Sequence, residues 1–230
     1  EGRYFHILML EPDKADTIPV VECKSRNTKA FKEYRDLNDL DSYDILLQSE
    51  RDHINRMADA MRGNLEIYER IYGEKDHEVP AITEIGGIMF KGKCDVLGRD
   101  EIIDLKTSSN IHKFRWSASE YCYDSQAFIY QTLFGKPITF IVIDKNSFEL
   151  KISDCSSDFI ARGSEKVDKA IKVFKKFIKK LCKKIIDKIN NKKNILMEVP
   201  TMCDSRKEKD YIICSTIDFL EQNIKIKNYE

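Results

Sequence analysis

Apolar positions along this chain follow two periods, and each predicts its own kind of element. A repeat of three and four residues runs through Ile54, Met57, Met61, Leu65, Tyr68 and Tyr72 up to Gly73. That spacing predicts one amphipathic helix, entered at Ser49, where Asp52 three residues on resembles a capping box. The same period in Val167, Ile171, Phe174, Ile178, Leu181, Ile185 and Ile189 predicts a helix over about 158–190, with lysines on its remaining faces. A third helix is expected over about 113–134, stopped by Gly135 and Pro137. Residues 81–106 instead predict a three-stranded meander: Gly86-Gly87 suits a two-residue hairpin turn, and Gly98 opens the next. Strands follow over 138–144 and 148–153. Near the start, the apolar run 4–10 fits a helix or a strand equally and is stopped by Pro12; a strand over 18–23 and a helix over 28–37 come next. Helix, meander, helix, strands, helix is an α/β order, a small mixed central sheet flanked by helices.

Composition narrows the class. With 230 residues, 42% hydrophobic and 34% charged, the chain has the size and balance of a globular domain with a real core. No apolar run approaches the roughly 20 residues that span a bilayer, and no secretory leader is visible, so a membrane role is not expected. The chain opens on Glu1, as a trimmed segment would. Its seven cysteines, at 23, 94, 122, 155, 182, 203 and 214, include no C-x-x-C pair, which points to reduced thiols in a cytoplasmic setting rather than to disulfides, zinc or an iron–sulfur cluster. Formal charge sums to zero, yet 36–78 leans acidic and Lys166 to Lys193 is dense in lysine, so local fields favour an encounter with nucleic acid.

The candidate chemistry lies in Gly92-Lys-Cys-Asp95 and Ile102-Ile-Asp104-Leu-Lys106-Thr. Residues two apart on a strand share a face, so Asp104 and Lys106 project together. Asp95 lies on the preceding strand, across the Gly98 turn. Two acids and a lysine on a sheet face suit a hard divalent cation and water activation, the chemistry of phosphodiester cleavage. The same residues also fit a polar strand face with an incidental ion pair. Against that, Asp104 stands among Ile102, Ile103 and Leu105, where an uncompensated carboxylate would cost several kcal/mol. Gln126 and Tyr130 follow at i and i+4 on a helix. Glu84, His6, Arg26, Lys29 and Lys32 are further candidates that each have an ordinary reading: an exposed acid, a core histidine, a solvated helix face.

Taken in order, the Phe5-His6-Ile-Leu-Met-Leu-Glu11-Pro12 region, Thr28-Lys-Ala-Phe-Lys32-Glu33, Gly92-x-x-Asp95, Ile-Ile-Asp104-Leu-Lys106-Thr and Tyr121-Cys-Tyr-Asp-Ser-Gln126-Ala-Phe-Ile-Tyr130 resemble the PD-(D/E)XK nucleases. Within them the set is similar to the RecB-type branch and to the RecE-type (exonuclease VIII-type) phage exonucleases, over roughly 4–150. Phe31 stands where those relatives tend to have Gly, and the lysine helix has no counterpart there.

The resemblance implies a restriction-endonuclease-like core over 1–193 with an appendage over 194–230. It implies Mg²⁺, replaceable by Mn²⁺, held by His6, Asp95, Asp104 and the Leu105 carbonyl. Lys106 would act on the attacking water, Gln126 and Tyr130 would steady Lys106 and the phosphate, and Glu84 would bind the ion through water. The implied activity is 5′→3′ degradation of one strand at linear double-stranded DNA ends, leaving 3′ overhangs for a single-strand annealing partner, by a homo-oligomeric ring (trimer or tetramer). Arg26, Lys32, Lys172, Lys176, Lys179 and Lys183 are the expected DNA contacts. The alternatives are an endonuclease of restriction or repair type and a non-catalytic DNA-binding protein.

Overall fold

A computed structural model of the chain describes residues 2–190, with side chains through 184. The chain divides into two compact units: Glu1–Thr83 with Phe90–Glu165, and Glu84–Met89 with the chain from Lys166 on. A boundary at 193–194 lies outside the described residues.

The first unit is built on a five-stranded sheet of order β3-β4-β5-β6-β7, with β3 at Asp76–Ile85, β4 at Ile88–Leu97, β5 at Ile102–Ser108, β6 at Ile138–Asp144 and β7 at Leu150–Asp154. β5 and β6 are parallel, in register from Ile102↔Ile138 to Ser108↔Asp144, while β4 and β7 run antiparallel to their inner neighbours. A parallel pair needs a crossover, supplied here by helices α5 (Phe114–Glu120) and α6 (Tyr123–Phe134). All seven residues of β6 are buried, as expected of a strand covered on both faces. The sheet is therefore mixed and helix-flanked, as its sequence order implies.

Alternation along β5 and β6 sorts the core into two layers. Ile103, Leu105, Ile141 and Ile143 pack with α1 (Gly2–Leu10) and α3 (Gln48–Arg62) through Phe5, Met9, Ile54, Met57 and Met61. Ile102, Ile138, Phe140 and Val142 pack on the opposite face with Phe114, Ala118 and Ala127. A small third cluster joins Val21, Phe31, Ile45 and Leu47 around the two-residue strands β1 (Val20–Val21) and β2 (Leu46–Leu47) and helix α2 (Lys29–Leu37), whose N-cap is Thr28.

Several expectations need correction. The ambiguous segment 4–10 is helix. The strand expected over 18–23 shrinks to Val20–Val21. The helix expected from Ser49 to Gly73 is two helices, α3 and α4 (Leu65–Tyr72). Asn64 accepts the Ile67 N–H at 3.1 Å and restarts the helix, which resets its buried face: Leu65 is 72% exposed, whereas Ile67 and Ile71 are buried. At the start of α3 it is Glu50, not Ser49 with Asp52, that caps, accepting the Leu47 N–H at 3.0 Å. The helix over 113–134 is interrupted by Cys122, whose φ of 56° is left-handed, and the last strand begins at Leu150, after Phe148 at φ 59°.

In the second unit, Gly86 and Gly87 turn the β3–β4 hairpin with φ of 59° and 76°, values that favour glycine. Helix α7 (Ser157–Asn190) lays Ile171 against Gly86, and Lys175 Nζ donates to the Gly86 carbonyl at 2.7 Å. Val167, Ile171 and Ile178 are buried along it. Among the described residues no helix is long and apolar enough to cross a membrane, and Cys23, Cys94, Cys122, Cys155 and Cys182 are free thiols.

Candidate active site

β4 and β5 are in register at Val96↔Ile103 and Leu97↔Ile102. Two residues beyond Ile103, Leu105 turns the same backbone edge toward β4, but side chains meet it there. Asp95 Oδ2 accepts the Leu105 N–H at 2.7 Å, and His6 Nε2 lies 2.9 Å from the Leu105 carbonyl oxygen and 3.1 Å from Asp95 Oδ2. Splayed strands thus open a backbone carbonyl to ligands, and α1 delivers His6 to it.

The other nitrogen of His6 faces an acceptor as well, Nδ1 lying 2.9 Å from the Gly2 carbonyl. Only an imidazolium donates from both nitrogens. Burial works to lower the His6 pKa, but the hydrogen bond and charge of Asp95, together with the Gly2 carbonyl, outweigh it and raise the value to about 9.

On the α6 face of β5, Asp104 and Lys106 share one network with Gln126. Lys106 Nζ lies 2.6 Å from Asp104 Oδ2 and donates to Gln126 Oε1 at 2.9 Å, while Gln126 Nε2 donates to Asp104 Oδ1 at 2.6 Å. Gln126 therefore clamps both partners. Asp104 is 2% exposed; burial, then the charge of Asp95, raises its pKa to about 6 against the pull of Lys106 and His6. Its Oδ2 is buried against Lys106 Nζ.

Sequence reasoning missed the aromatic floor of this network. Lys106 Nζ lies 4.5 Å from the centroid of Tyr123 and 5.7 Å from that of Phe140, within cation–π range. Tyr123 was detectable as the residue one helical turn before Gln126; Phe140 only through its register opposite Asp104.

The remaining candidates separate. Tyr130 stands at the edge of the network: its hydroxyl donates to the Lys93 carbonyl at 3.0 Å, and burial, then the charge of Asp104, pushes its pKa up to about 12 against a hydrogen bond with Gln126. It ties α6 to β4. A Cβ on Gly92 would stand 2.6 Å from the end of the Leu133 side chain and 3.0 Å from the Tyr130 ring, so any larger residue there must displace Leu133. Arg26 is held in a forked pair with Glu50 (Nη2–Oε2 2.7 Å) and donates to the Ile45 carbonyl at 3.1 Å; its guanidinium fastens the β2 region to α3. Lys32 is exposed on α2. Glu84, Lys172, Lys176, Lys179 and Lys183 are exposed residues of the second unit.

Two carboxylates, a carbonyl and an imidazole are oxygen-rich donors of the kind hard cations select, and Asp104 is a buried carboxylate whose partners are the side chains of Lys106 and Gln126. The residues fit a divalent ion in type. They are not drawn into a finished cage: among the described residues no three His, Cys, Asp or Glu side chains form one, since Asp104 turns to Lys106 and Gln126 and the His6 proton lies between Asp95 and the Leu105 carbonyl.

The fold has a solved counterpart. The crystal structure of a "putative exonuclease" from Eubacterium rectale superposes with a TM-score of 0.55 at 15% identity, covering 90% of this chain and 72% of that one. At that identity the likeness establishes the fold alone. A second structure, SSO0001, overlaps at a TM-score of 0.34 and 16% identity, over 75% of this chain and 85% of that one, too distant to carry weight. No curated protein matches. The family described as "PDDEXK-like domain of unknown function (DUF3799)" matches residues 1–185, most of the chain and every residue of the network above: this protein belongs to that family.

Proposed function

We propose that this protein is a divalent-cation-dependent deoxyribonuclease, specifically a Mg²⁺-dependent 5′→3′ exonuclease of linear double-stranded DNA ends that leaves 3′ overhangs for a single-strand annealing partner. One observation carries the reading. Asp95, the Leu105 carbonyl, Asp104 and Lys106 converge on the splayed end of β4 and β5, with Asp104 buried against Lys106.

His6, Asp95, Asp104 and the Leu105 carbonyl would hold the ion. When bound, Mg²⁺ would acidify a water and neutralise charge on the phosphate. The protein's own groups do the rest. Lys106, steadied by Gln126 and seated on Tyr123, presents Nζ as a donor to the attacking water and to the phosphate oxygen that gains charge. Asp95 fixes the Leu105 peptide and thereby the direction of its carbonyl. His6 could offer Nε2 to the ion only as a neutral imidazole, so loading would release a proton. Exposed Lys172, Lys176, Lys179 and Lys183 supply phosphate contacts, and a homo-oligomeric ring would keep the duplex engaged.

The test is digestion, with Mg²⁺ and with EDTA, of a linear duplex labelled at one 5′ end and of a covalently closed plasmid. Early release of the label as mononucleotide, with the circle intact, supports the exonuclease. Cutting of the circle replaces it with an endonuclease, and binding without Mg²⁺-dependent cleavage of either leaves a DNA-binding protein.

A further inference from the structure

Beside the Asp104–Lys106 network the first unit exposes a group of aromatic side chains to which the chemistry gives no task. Trp116, on α5, is 70% exposed, and Tyr121, at the end of α5, is 65% exposed. The two line one cleft together, and grouped exposed apolar side chains, unlike single ones, mark interaction sites. Their support is rigid: Phe114, two residues before Trp116, is 3% exposed and packs 6.1 Å, centroid to centroid, from Phe140.

Trp116 stands as a ridge between two clefts of about 470 and 360 Å³, lining both. The smaller cleft starts at Thr107 and Ser108, which directly follow Lys106 on β5. Tyr123 lines it too, and Tyr123 is the ring under Lys106 Nζ. Tyr121 and Tyr123 lie 5.9 Å apart, centroid to centroid. An aromatic track thus runs from solvent at Tyr121 to the lysine of the network.

The charge along this track is net positive. Lys113 and Lys145 line the smaller cleft against one acid, Glu120. Arg115, Lys151 and Arg162 line the larger against Asp154 and Asp158. Exposed rings spaced among cations are the makings of a single-strand site: bases stack on the rings, the backbone follows the cations, and sequence matters little because every base has a π face. A duplex, with its bases already stacked, would gain little from these rings.

We propose that Trp116 and Tyr121 form a base-stacking platform for unpaired nucleotides of the strand whose phosphate reaches Lys106. The occupant is single-stranded DNA. This rests on the nuclease reading and adds to it a contact that engages the frayed end of the substrate rather than its paired stem.

Trp116 is the one tryptophan of the chain, so its emission reports on the platform directly. Full-length protein in EDTA, where nothing is cut, is titrated with oligodeoxythymidine and with a blunt DNA hairpin, while binding of the labelled oligonucleotide is followed by anisotropy. Emission should fall with the single strand and change far less with the hairpin. Trp116→Ala should raise the oligonucleotide Kd on the order of tenfold, Tyr121→Ala somewhat less, and Trp116→Phe should keep most of the affinity. Both side chains are exposed, so the variants should melt like the wild type. Emission that stays constant while anisotropy rises overturns the proposal, as does Mg²⁺-dependent cleavage by wild type with no emission response. Emission that instead follows protein concentration assigns the face to a second copy of the chain and overturns it too. Emission quenched by the single strand in a protein that cleaves nothing retains the platform and removes the nuclease; no response in either assay removes both.

Discussion

Two buried carboxylates lie on neighbouring parallel strands of one sheet, and they differ in the donors that meet their charge. Asp144, at the end of β6, is held by peptide groups. Its Oδ2 accepts the Ile111 N–H at 2.8 Å, and its Oδ1 accepts those of Asn146 and Ser147 at 2.8 and 3.1 Å. Burial would raise its pKa, but these donors prevail and hold it below the usual 3.8. Asp104, in the middle of β5, has no peptide donor among its hydrogen bonds; it leans on Lys106 and Gln126 and its pKa rises to about 6. The difference separates structure from chemistry. A carboxylate satisfied by backbone donors fixes a loop, here the turn after β6 and the entry to α5. A carboxylate pushed into a core without peptide donors, its charge met by one lysine, is poorly spent on stability and is a candidate for ligand chemistry.

The comparison breaks first at Asp104. Asp104→Asn should lower Mg²⁺-dependent cleavage on the order of 10³-fold, roughly 4 kcal/mol of barrier, with a small change in melting temperature. DNA binding in EDTA should persist. A variant that loses its fold as well as its turnover would place Asp104 in the same structural class as Asp144.

At Asp144 the pattern should invert. Asp144→Ala leaves three peptide donors without their acceptor and should cost about 2–3 kcal/mol of stability with kcat retained at a temperature where the variant is folded. The pH dependence follows from the sign of the shift. A carboxyl whose pKa is lower in the folded state stabilises fully above its unfolded value, near 3.8, and loses that contribution as pH falls through the folded value. The stability gap between wild type and Asp144→Ala should therefore be widest near neutrality and close below pH 3.8. A gap that widens on acidification would refute the assignment.

Gln126 sharpens the contrast, because it is the neutral group that bonds to both Asp104 and Lys106. Gln126→Ala should lower kcat by about 10–100-fold, while Gln126→Glu should do worse by placing a third acid beside Asp104. Equal losses from both would mean that charge at this position is immaterial.

The two carboxylates also differ in how far sequence revealed them. Asp104 was legible: an acid and a lysine two residues apart inside an apolar run have few structural uses, and the i, i+2 rule places them together. So was the Gly86-Gly87 hairpin. Asp144 carries no such signal, since an acid at a strand end is ordinary and its donors come from Ile111, 33 residues away, as well as from the next turn. His6 was found by family resemblance, not by pattern, because its role depends on where β4 and β5 part. The helix breaks at Asn64 and Cys122 were invisible to periodicity: apolar residues continue in phase past Asn64 although the chain turns, and Leu65 ends in solvent while Ile67 goes inside. Arg26 looked available because its partner, Glu50, is 24 residues on.

The mildest effects belong to the second unit, where lysines stand on a helix packed through its other face. Lys172, Lys176, Lys179 and Lys183 are exposed, whereas Val167, Ile171 and Ile178 are buried and Lys175 is engaged with the Gly86 carbonyl. Changing the four exposed lysines to Gln, and sparing Lys175, should leave the melting temperature nearly unchanged. If they meet phosphate, log Kd against log salt should flatten by about 0.9 for each phosphate that is no longer neutralised. Cleavage at low salt should then fall through KM and not through kcat, since none of the four belongs to the Asp104 network. An unaltered slope would make them a solvated helix face and return the whole burden of DNA binding to the first unit.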